Sequence, residues 1–107
     1  MDYKRLKIKK IIDDYKLILK KLGITVERTI LFGSFAKGNP RKDSDIDLII
    51  VSEDFKKMNL RQRLEVLGIA AARIMQPIEA KGYTLKEIAS HSKPKFLSHI
   101  LKIGMGV

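Results

Sequence analysis

The chain has 107 residues, 45% of them hydrophobic, a size and composition suited to one domain with a modest core. Its 22 Lys and Arg against 12 Asp and Glu give a formal net charge of +10, which favours polyanionic partners such as nucleotides, RNA or an acidic protein surface. The absence of cysteine excludes disulfides and thiolate metal sites. We expect a single domain over residues 1–107, with oxygen or imidazole ligands for any metal.

The sequence contains no apolar stretch close to the roughly 20 residues that a membrane span requires. Its first residues also lack the apolar segment of a secretory signal. We therefore expect a cytoplasmic protein without a membrane partner.

Apolar residues recur in steps of three and four over residues 3–22, which predicts an amphipathic helix that ends at Gly23. Much of the positive charge lies in this segment. The solvated face of the helix is the favoured interpretation of that charge. A nucleic-acid patch is the alternative, but the segment lacks the aromatic interleaving that base stacking uses.

Residues 25–32 are rich in β-branched types, which predicts a strand ending at a turn formed by Gly33 and Ser34. A short helix should follow this turn. Residues 37–44 contain a glycine and a proline that cannot continue a helix, so we expect a basic loop there. Residues 46–51 are aliphatic apart from Asp47, a pattern typical of a strand covered on both faces.

The second half of the chain predicts a helix over residues 59–75 capped by Asn59 and a strand over residues 78–83. A short helix should follow, opened by a capping box of Thr84 and Glu87. A last helix is expected over residues 94–103. In the helix of residues 59–75, we expect three small residues to allow close approach to the sheet: Gly68, Ala70 and Ala72. The apolar positions of this helix are Leu60, Leu64, Leu67, Ile69, Ala71 and Ile74. The elements together predict an α/β (α+β) fold with a small mixed β-sheet flanked by helices.

Gly33 and Ser34 are candidate phosphate-binding residues, because a glycine–serine turn before a helix leaves backbone N–H groups open to oxygens. Alone, such a pair is more often a structural turn in which the serine caps the helix. Lys37, Arg41 and Lys42 follow in the basic loop and are candidates for contact with the β- and γ-phosphates.

Asp45 and Asp47 are candidate metal ligands, since residues two apart on a strand leave the same face about 6.6 Å apart. Mg²⁺ removes the repulsion between two such carboxylates and prefers oxygen ligands together with phosphates. The alternative for this pair by itself is a turn followed by an exposed strand face. The preceding Gly33-Ser34 turn and the following aliphatic run favour the metal site.

Glu79 is the candidate third carboxylate, because a strand beside the Asp47 strand would place it within about 5 Å. It would act as a base or as a third ligand in a site with two Mg²⁺ ions, although a purely exposed Glu79 is the alternative. His91 and His99 lack the spacing of a metal-binding pair, so we expect packing or surface roles. Residues 103–107 form an apolar ending that either joins the core or is covered by a partner.

The chain resembles the DNA polymerase beta-type nucleotidyltransferase superfamily in two motifs, LFGSFAKG at residues 31–38 and SDIDL at residues 44–48. Its compact length is similar to that of the minimal nucleotidyltransferases (MNT) in that superfamily. The resemblance implies that Gly33 and Ser34 bind nucleotide phosphates and that Asp45 and Asp47 hold Mg²⁺, with Glu79 as the third acid. It also implies an antitoxin that transfers AMP from ATP to a tyrosine of a HEPN-type ribonuclease toxin.

The sequence therefore predicts a Mg²⁺-dependent nucleotidyltransferase that moves AMP from ATP to a hydroxyl and releases pyrophosphate. Asp45, Asp47 and Glu79 would be its catalytic and metal-binding residues, and Gly33, Ser34 and Lys37 would hold the triphosphate. One alternative is an antitoxin that neutralises its partner by binding alone. Another is nucleotide transfer to RNA ends, for which the basic N-terminal helix offers the only recognition surface.

Overall fold

A mixed β-sheet organises the protein, as the sequence predicts. The computed structural model describes residues 3–36 and 45–107. Within these ranges the strands are β1 (Arg28–Phe32), β2 (Ile46–Val51), β3 (Ile78–Tyr83) and β4 (Met105–Gly106). Their order across the sheet is β3-β2-β1-β4, with β2 and β3 parallel and β1 antiparallel to both β2 and β4.

Helices cover both faces of this sheet. They are α1 (Tyr3–Lys21), α2 (Gly33–Ala36), α3 (Leu60–Ile74), α4 (Leu85–Ala89) and α5 (Lys95–Ile103), with a 3₁₀ helix at Glu53–Lys57. No helix in the described residues is both long enough and apolar enough to cross a membrane.

Helix α1 ends at Lys21, one residue before the predicted end, and Gly23 follows with a φ of 95° in the left-handed region. Its central Tyr15 is fully buried and donates a hydrogen bond of 2.8 Å from its hydroxyl to the Leu67 carbonyl of α3. On the opposite side, Lys9 pairs with Asp13 at 3.3 Å. The basic residues of α1 therefore lie mainly on a solvated face.

Strand β2 is aliphatic because both of its faces are covered. Leu48 and Ile50 belong to a core cluster shared with α1 and α3. Ile49 and Val51 belong to a second cluster that includes residues of α5. Asp47 lies on the α5 face, two residues before Ile49, so it is the polar exception in a strand that is otherwise buried.

Strand β1 begins later than the predicted residue 25. The Thr25 backbone N–H donates a hydrogen bond of 2.8 Å to the Asp54 carboxylate, so a side chain of the 3₁₀ helix takes this group instead of a neighbouring strand. Ladder pairing with β2 starts only at Glu27, whose N–H donates to the Val51 carbonyl at 2.8 Å. The β-branched residues before that point therefore lie outside the strand.

Helix α3 has the predicted limits and the predicted Asn59 cap, but part of its predicted buried face is wrong. Leu60, Leu64 and Ile69 are exposed, at 67%, 47% and 49% of their surface. Gly68 has open space beside it and allows no close approach to the sheet. The inward face of α3 is instead centred on three buried residues: Arg63, Leu67 and Ala70. Hydrophobic periodicity misses this face because an arginine forms part of it.

Arg63 is buried through an ion pair with Glu87. The two guanidinium–carboxylate distances are 2.7 and 3.1 Å, and the guanidinium also donates to the Met58 and Gly82 carbonyls. Glu87 completes the predicted capping box of α4 with Thr84, which is confirmed. The hydrogen bonds from Arg63 are the main reason that the pKa of Glu87 is lowered.

The apolar ending of the chain pairs with the sheet. Met105 is opposite Leu31 in the β1–β4 ladder, and the Val107 N–H donates a 3.0 Å hydrogen bond to the Thr29 carbonyl. This segment is a strand of the fold, a role that its composition does not indicate.

Candidate active site

Gly33 follows β1 directly and begins the four-residue helix α2. Its φ of 73° lies in the left-handed region, which glycine adopts at little cost. A Cβ at this position would overlap the Asp47 carboxylate and lie 3.1 Å from its Cγ. The predicted turn and the predicted carboxylate are therefore in direct contact, and only a glycine leaves room for both.

The candidate carboxylates meet at one end of the sheet. Asp47 is opposite Phe32 on β1 and opposite Glu79 on β3, so these three side chains form a row on one face. Asp45 lies two residues before Asp47, just outside the strand. Asp47 is half-buried, whereas Asp45 and Glu79 are exposed. Sheet pairing thus brings Glu79 beside Asp47, as we expected from the sequence.

The electrostatics of this row act on Asp47. Burial is the largest cause that raises the pKa of its carboxyl, and the negative charges of Glu79 and Asp45 raise it further. Lys81 on β3 opposes them. Ionised Asp47 is therefore disfavoured by its surroundings, so a cation at this position would be stabilising.

The donor set fits a divalent cation that shares its coordination with phosphate. In the described residues, no three Asp, Glu or His side chains are close enough together to form a complete metal site by themselves. Carboxylate oxygens are the ligands that Mg²⁺ prefers, and Mg²⁺ commonly uses one or two of them together with substrate phosphates. His91 and His99 are both exposed, in line with surface roles.

Several candidate phosphate ligands lie outside the described part of the protein. The backbone of Ser34 belongs to α2, but its side chain is not described. Lys37, Arg41 and Lys42 lie entirely outside the described residues. The phosphate contacts of these four side chains stay predictions.

The profile of a nucleotidyltransferase domain matches residues 8–103, a range that contains every candidate site residue. The chain belongs to the nucleotidyltransferase domain family. A 1.40 Å crystal structure from Sulfolobus solfataricus, provisionally assigned as a nucleotidyltransferase, matches 92% of this chain and 83% of its own, with a TM-score of 0.55 and 21% identity. At that identity the likeness concerns the fold. No curated protein matches the sequence significantly.

This nucleotidyltransferase domain has a basic residue beside the carboxylates that sequence reasoning missed. Lys81 lies two residues after Glu79, and alternate residues of a strand share a face. The two-residue period was therefore a signal that could have found Lys81. The aromatic ring that contacts it, Phe96 of α5, had no comparable signal, because only the packing of α5 on the sheet brings it there.

Proposed function

We propose that this nucleotidyltransferase domain moves AMP from ATP to a hydroxyl of a protein partner, with Mg²⁺ held by Asp45 and Asp47 together with the nucleotide phosphates and with Glu79 as the base. The observation that supports this most is the position of Asp47, a half-buried carboxylate in an aliphatic strand that contacts Gly33 and is opposite Glu79. An arrangement that disfavours its own charged form is common at functional sites.

In the proposed reaction, the acceptor oxygen bonds to the α-phosphorus and the bond from that phosphorus to the bridging oxygen breaks. Pyrophosphate leaves, and Glu79 accepts the proton of the acceptor hydroxyl. Glu79 suits this role because it is exposed on β3, at one edge of the sheet formed by the described residues, where a large acceptor can reach it. When bound, Mg²⁺ supplies positive charge that stabilises the attacking and leaving oxygens.

The phosphates would bind at the turn that begins at Gly33, which lies against the Asp47 carboxylate. Ser34 and Lys37 are the proposed further phosphate ligands, since a hydroxyl and an ammonium both donate hydrogen bonds to phosphate oxygens. The formal charge of +10 favours binding of a triphosphate in general.

The partner that we propose is a HEPN-type toxin with a tyrosine as acceptor, so that this protein is the antitoxin of the pair. The proposal rests on the resemblance to the minimal nucleotidyltransferases. It is supported by α3, where Leu60 and Leu64 lie one turn apart and are exposed at 67% and 47%. Exposed leucines on one side of a helix are suited to a protein contact.

The test is co-expression of this protein with the product of a neighbouring gene, followed by intact mass measurement of that product. Wild type should add the mass of one AMP, and Asp47→Asn should abolish the addition while leaving the circular dichroism spectrum unchanged. Asp13→Asn, an exposed carboxylate on α1, is the matched control and should behave as wild type. Undiminished modification by Asp47→Asn would refute the assignment.

Neutralisation by binding alone is the second candidate, and the same exposed leucines of α3 favour it. The Asp45→Ala, Asp47→Ala double variant separates the two mechanisms. Full protection from the toxin by this variant indicates occlusion, whereas lost protection with retained complex formation indicates chemistry. Labelling of RNA ends but not of protein by radioactive ATP would instead indicate transfer to RNA.

A further inference from the structure

Lys81 is a half-buried lysine on the face of the sheet that carries the carboxylates. In the β2–β3 ladder, Lys81 is opposite Ile49. It lies two residues after Glu79 on β3, so the two side chains share a face of the sheet. The ion pairs found in the described ranges do not include it. Its positive charge nevertheless acts on Asp47. Lys81 therefore lies close to the carboxylate row without being neutralised by a salt bridge there.

An aromatic ring holds the Lys81 ammonium in place. Its Nζ lies 4.1 Å from the centroid of the Phe96 ring, which α5 brings over this face. Phe96 in turn packs edge-on against Phe32, with centroids 6.2 Å apart and rings at 83°. Phe32 is the register partner of Asp47 on β1. Phe32, Phe96 and Lys81, here called the Phe96 cluster, thus adjoin Asp47 on the α5 side.

The kind of contact matters for what Lys81 can do. A salt bridge uses the charge and donors of an ammonium, whereas an aromatic face attracts the ammonium and leaves its N–H groups available. An ordered lysine also loses less conformational entropy when it binds an anion. The Phe96 cluster therefore presents a fixed cation whose donors can still bind a ligand.

The position of Lys81 selects the part of the ligand that it can reach. Gly33 approaches Asp47 from β1, and Lys81 approaches it from β3, next to Glu79. In the proposed reaction, Glu79 adjoins the acceptor oxygen and hence the α-phosphate that this oxygen attacks. Negative charge on the α-phosphate oxygens must be stabilised as the new bond forms.

We infer that Lys81 is a phosphate-binding residue for the α-phosphate and that Phe96 is the residue that positions it. The inference rests on the proposed function, because it assigns a contact to the nucleotide of that same site. It adds a basic residue from β3 to the phosphate ligands expected from the turn and the basic loop.

The test measures binding of α,β-methylene-ATP with Mg²⁺ by calorimetry, and binding of Mn²⁺ alone by electron paramagnetic resonance. Lys81→Met should weaken nucleotide binding about tenfold or more, the loss expected for a hydrogen bond to a charged group. It should leave Mn²⁺ binding equal or tighter, because a cation that repels the metal is removed. Lys81→Arg should retain more nucleotide binding than Lys81→Met, since the charge is kept although the planar guanidinium differs in shape from the ammonium. Lys86→Met, which removes an exposed lysine of α4, is the charge-matched control and should bind as wild type.

Unchanged nucleotide binding by Lys81→Met would overturn this inference and leave the proposed function standing. Parallel loss of nucleotide and Mn²⁺ binding would also overturn it, because it would indicate a structural role for Lys81. Absence of nucleotide binding by the wild-type protein would overturn both this inference and the proposed function.

The role of Phe96 is tested by a double-mutant cycle. Phe96→Leu should weaken nucleotide binding about two- to fivefold in the wild-type background, from the loss of a cation–π contact. In the Lys81→Met background it should have no further effect, because the group that it positions is gone. An equal loss in both backgrounds would show that Phe96 does not act through Lys81.

Discussion

Replacement of Gly33 by alanine should destabilise the protein for two separable reasons. The φ of 73° places an alanine in the left-handed region, which costs about 1–2 kcal/mol. The added Cβ would also overlap the Asp47 carboxylate, and overpacking of this kind costs about 1–3 kcal/mol. The expected loss in the free energy of unfolding is therefore about 2–5 kcal/mol.

Gly23 provides a matched control for the first of these terms. It also has a positive φ, of 95°, but no atom lies within 4 Å of a Cβ built on it. Gly23→Ala should therefore cost only the conformational term of about 1–2 kcal/mol. The effect of alanine on the entropy of the unfolded chain is common to both variants and cancels in the comparison.

Urea denaturation followed by circular dichroism measures these differences, and an Asp47→Ala background isolates the overlap. In that background the carboxylate is absent, so Gly33→Ala should cost about 1–2 kcal/mol, as at Gly23. If Gly33→Ala costs no more than Gly23→Ala, or if its cost is the same in both backgrounds, contact with Asp47 is not the reason that this position needs glycine.

Three further predictions concern stability. Asp47→Asn should raise the free energy of unfolding at neutral pH without added Mg²⁺. Burial and the neighbouring carboxylates raise the pKa of Asp47 in the folded state and so disfavour its charged form there. A lower free energy of unfolding, measured by urea denaturation, would contradict this. Arg63 is the main reason that the pKa of Glu87 is lowered in the folded state. The contribution of Glu87 to stability is therefore complete above the ordinary pKa of a glutamic acid and is lost as the pH falls through the lower folded-state value. Glu87→Gln should therefore destabilise the protein at about pH 6 and much less at about pH 3, and equal differences at both pH values would refute the account. Tyr15→Phe should lower the free energy of unfolding by about 1 kcal/mol in the same assay, because it removes the buried hydroxyl and its 2.8 Å hydrogen bond to a backbone carbonyl of α3. An unchanged midpoint would show that this bond contributes nothing.

Local signals in the sequence were sufficient for much of the secondary structure. The predicted limits of β2 and β3 are those of the structure. Each strand is marked by apolar residues and flanking turn residues that lie within a few positions of one another in the sequence. The caps at Asn59 and Thr84 were found for the same reason, since a cap is a contact between residues three apart.

The candidate carboxylates were also found from local spacing, but their convergence was not a local property. Asp45 and Asp47 share a face through the two-residue period of a strand. That Glu79 lies beside Asp47, and that Gly33 contacts the same carboxylate, depends on which strands pair and in which register. The sequence led us to expect Glu79 beside Asp47 if their strands paired, and the sheet shows the register in which they do.

What the amino-acid sequence determined by itself is thus most of the helices and strands, the caps at Asn59 and Thr84 and the spacing of the acidic residues, because each is encoded within a turn or a few residues of strand. Only the tertiary structure decided that the inward face of α3 contains Arg63, since its ion partner Glu87 is 24 residues away. The same holds for the pairing of residues 105–106 with β1 and for the placement of Lys81 beneath Phe96. Each of these contacts joins segments distant in the chain, so its free energy depends on how the helices and strands pack together and leaves no periodic pattern in the sequence.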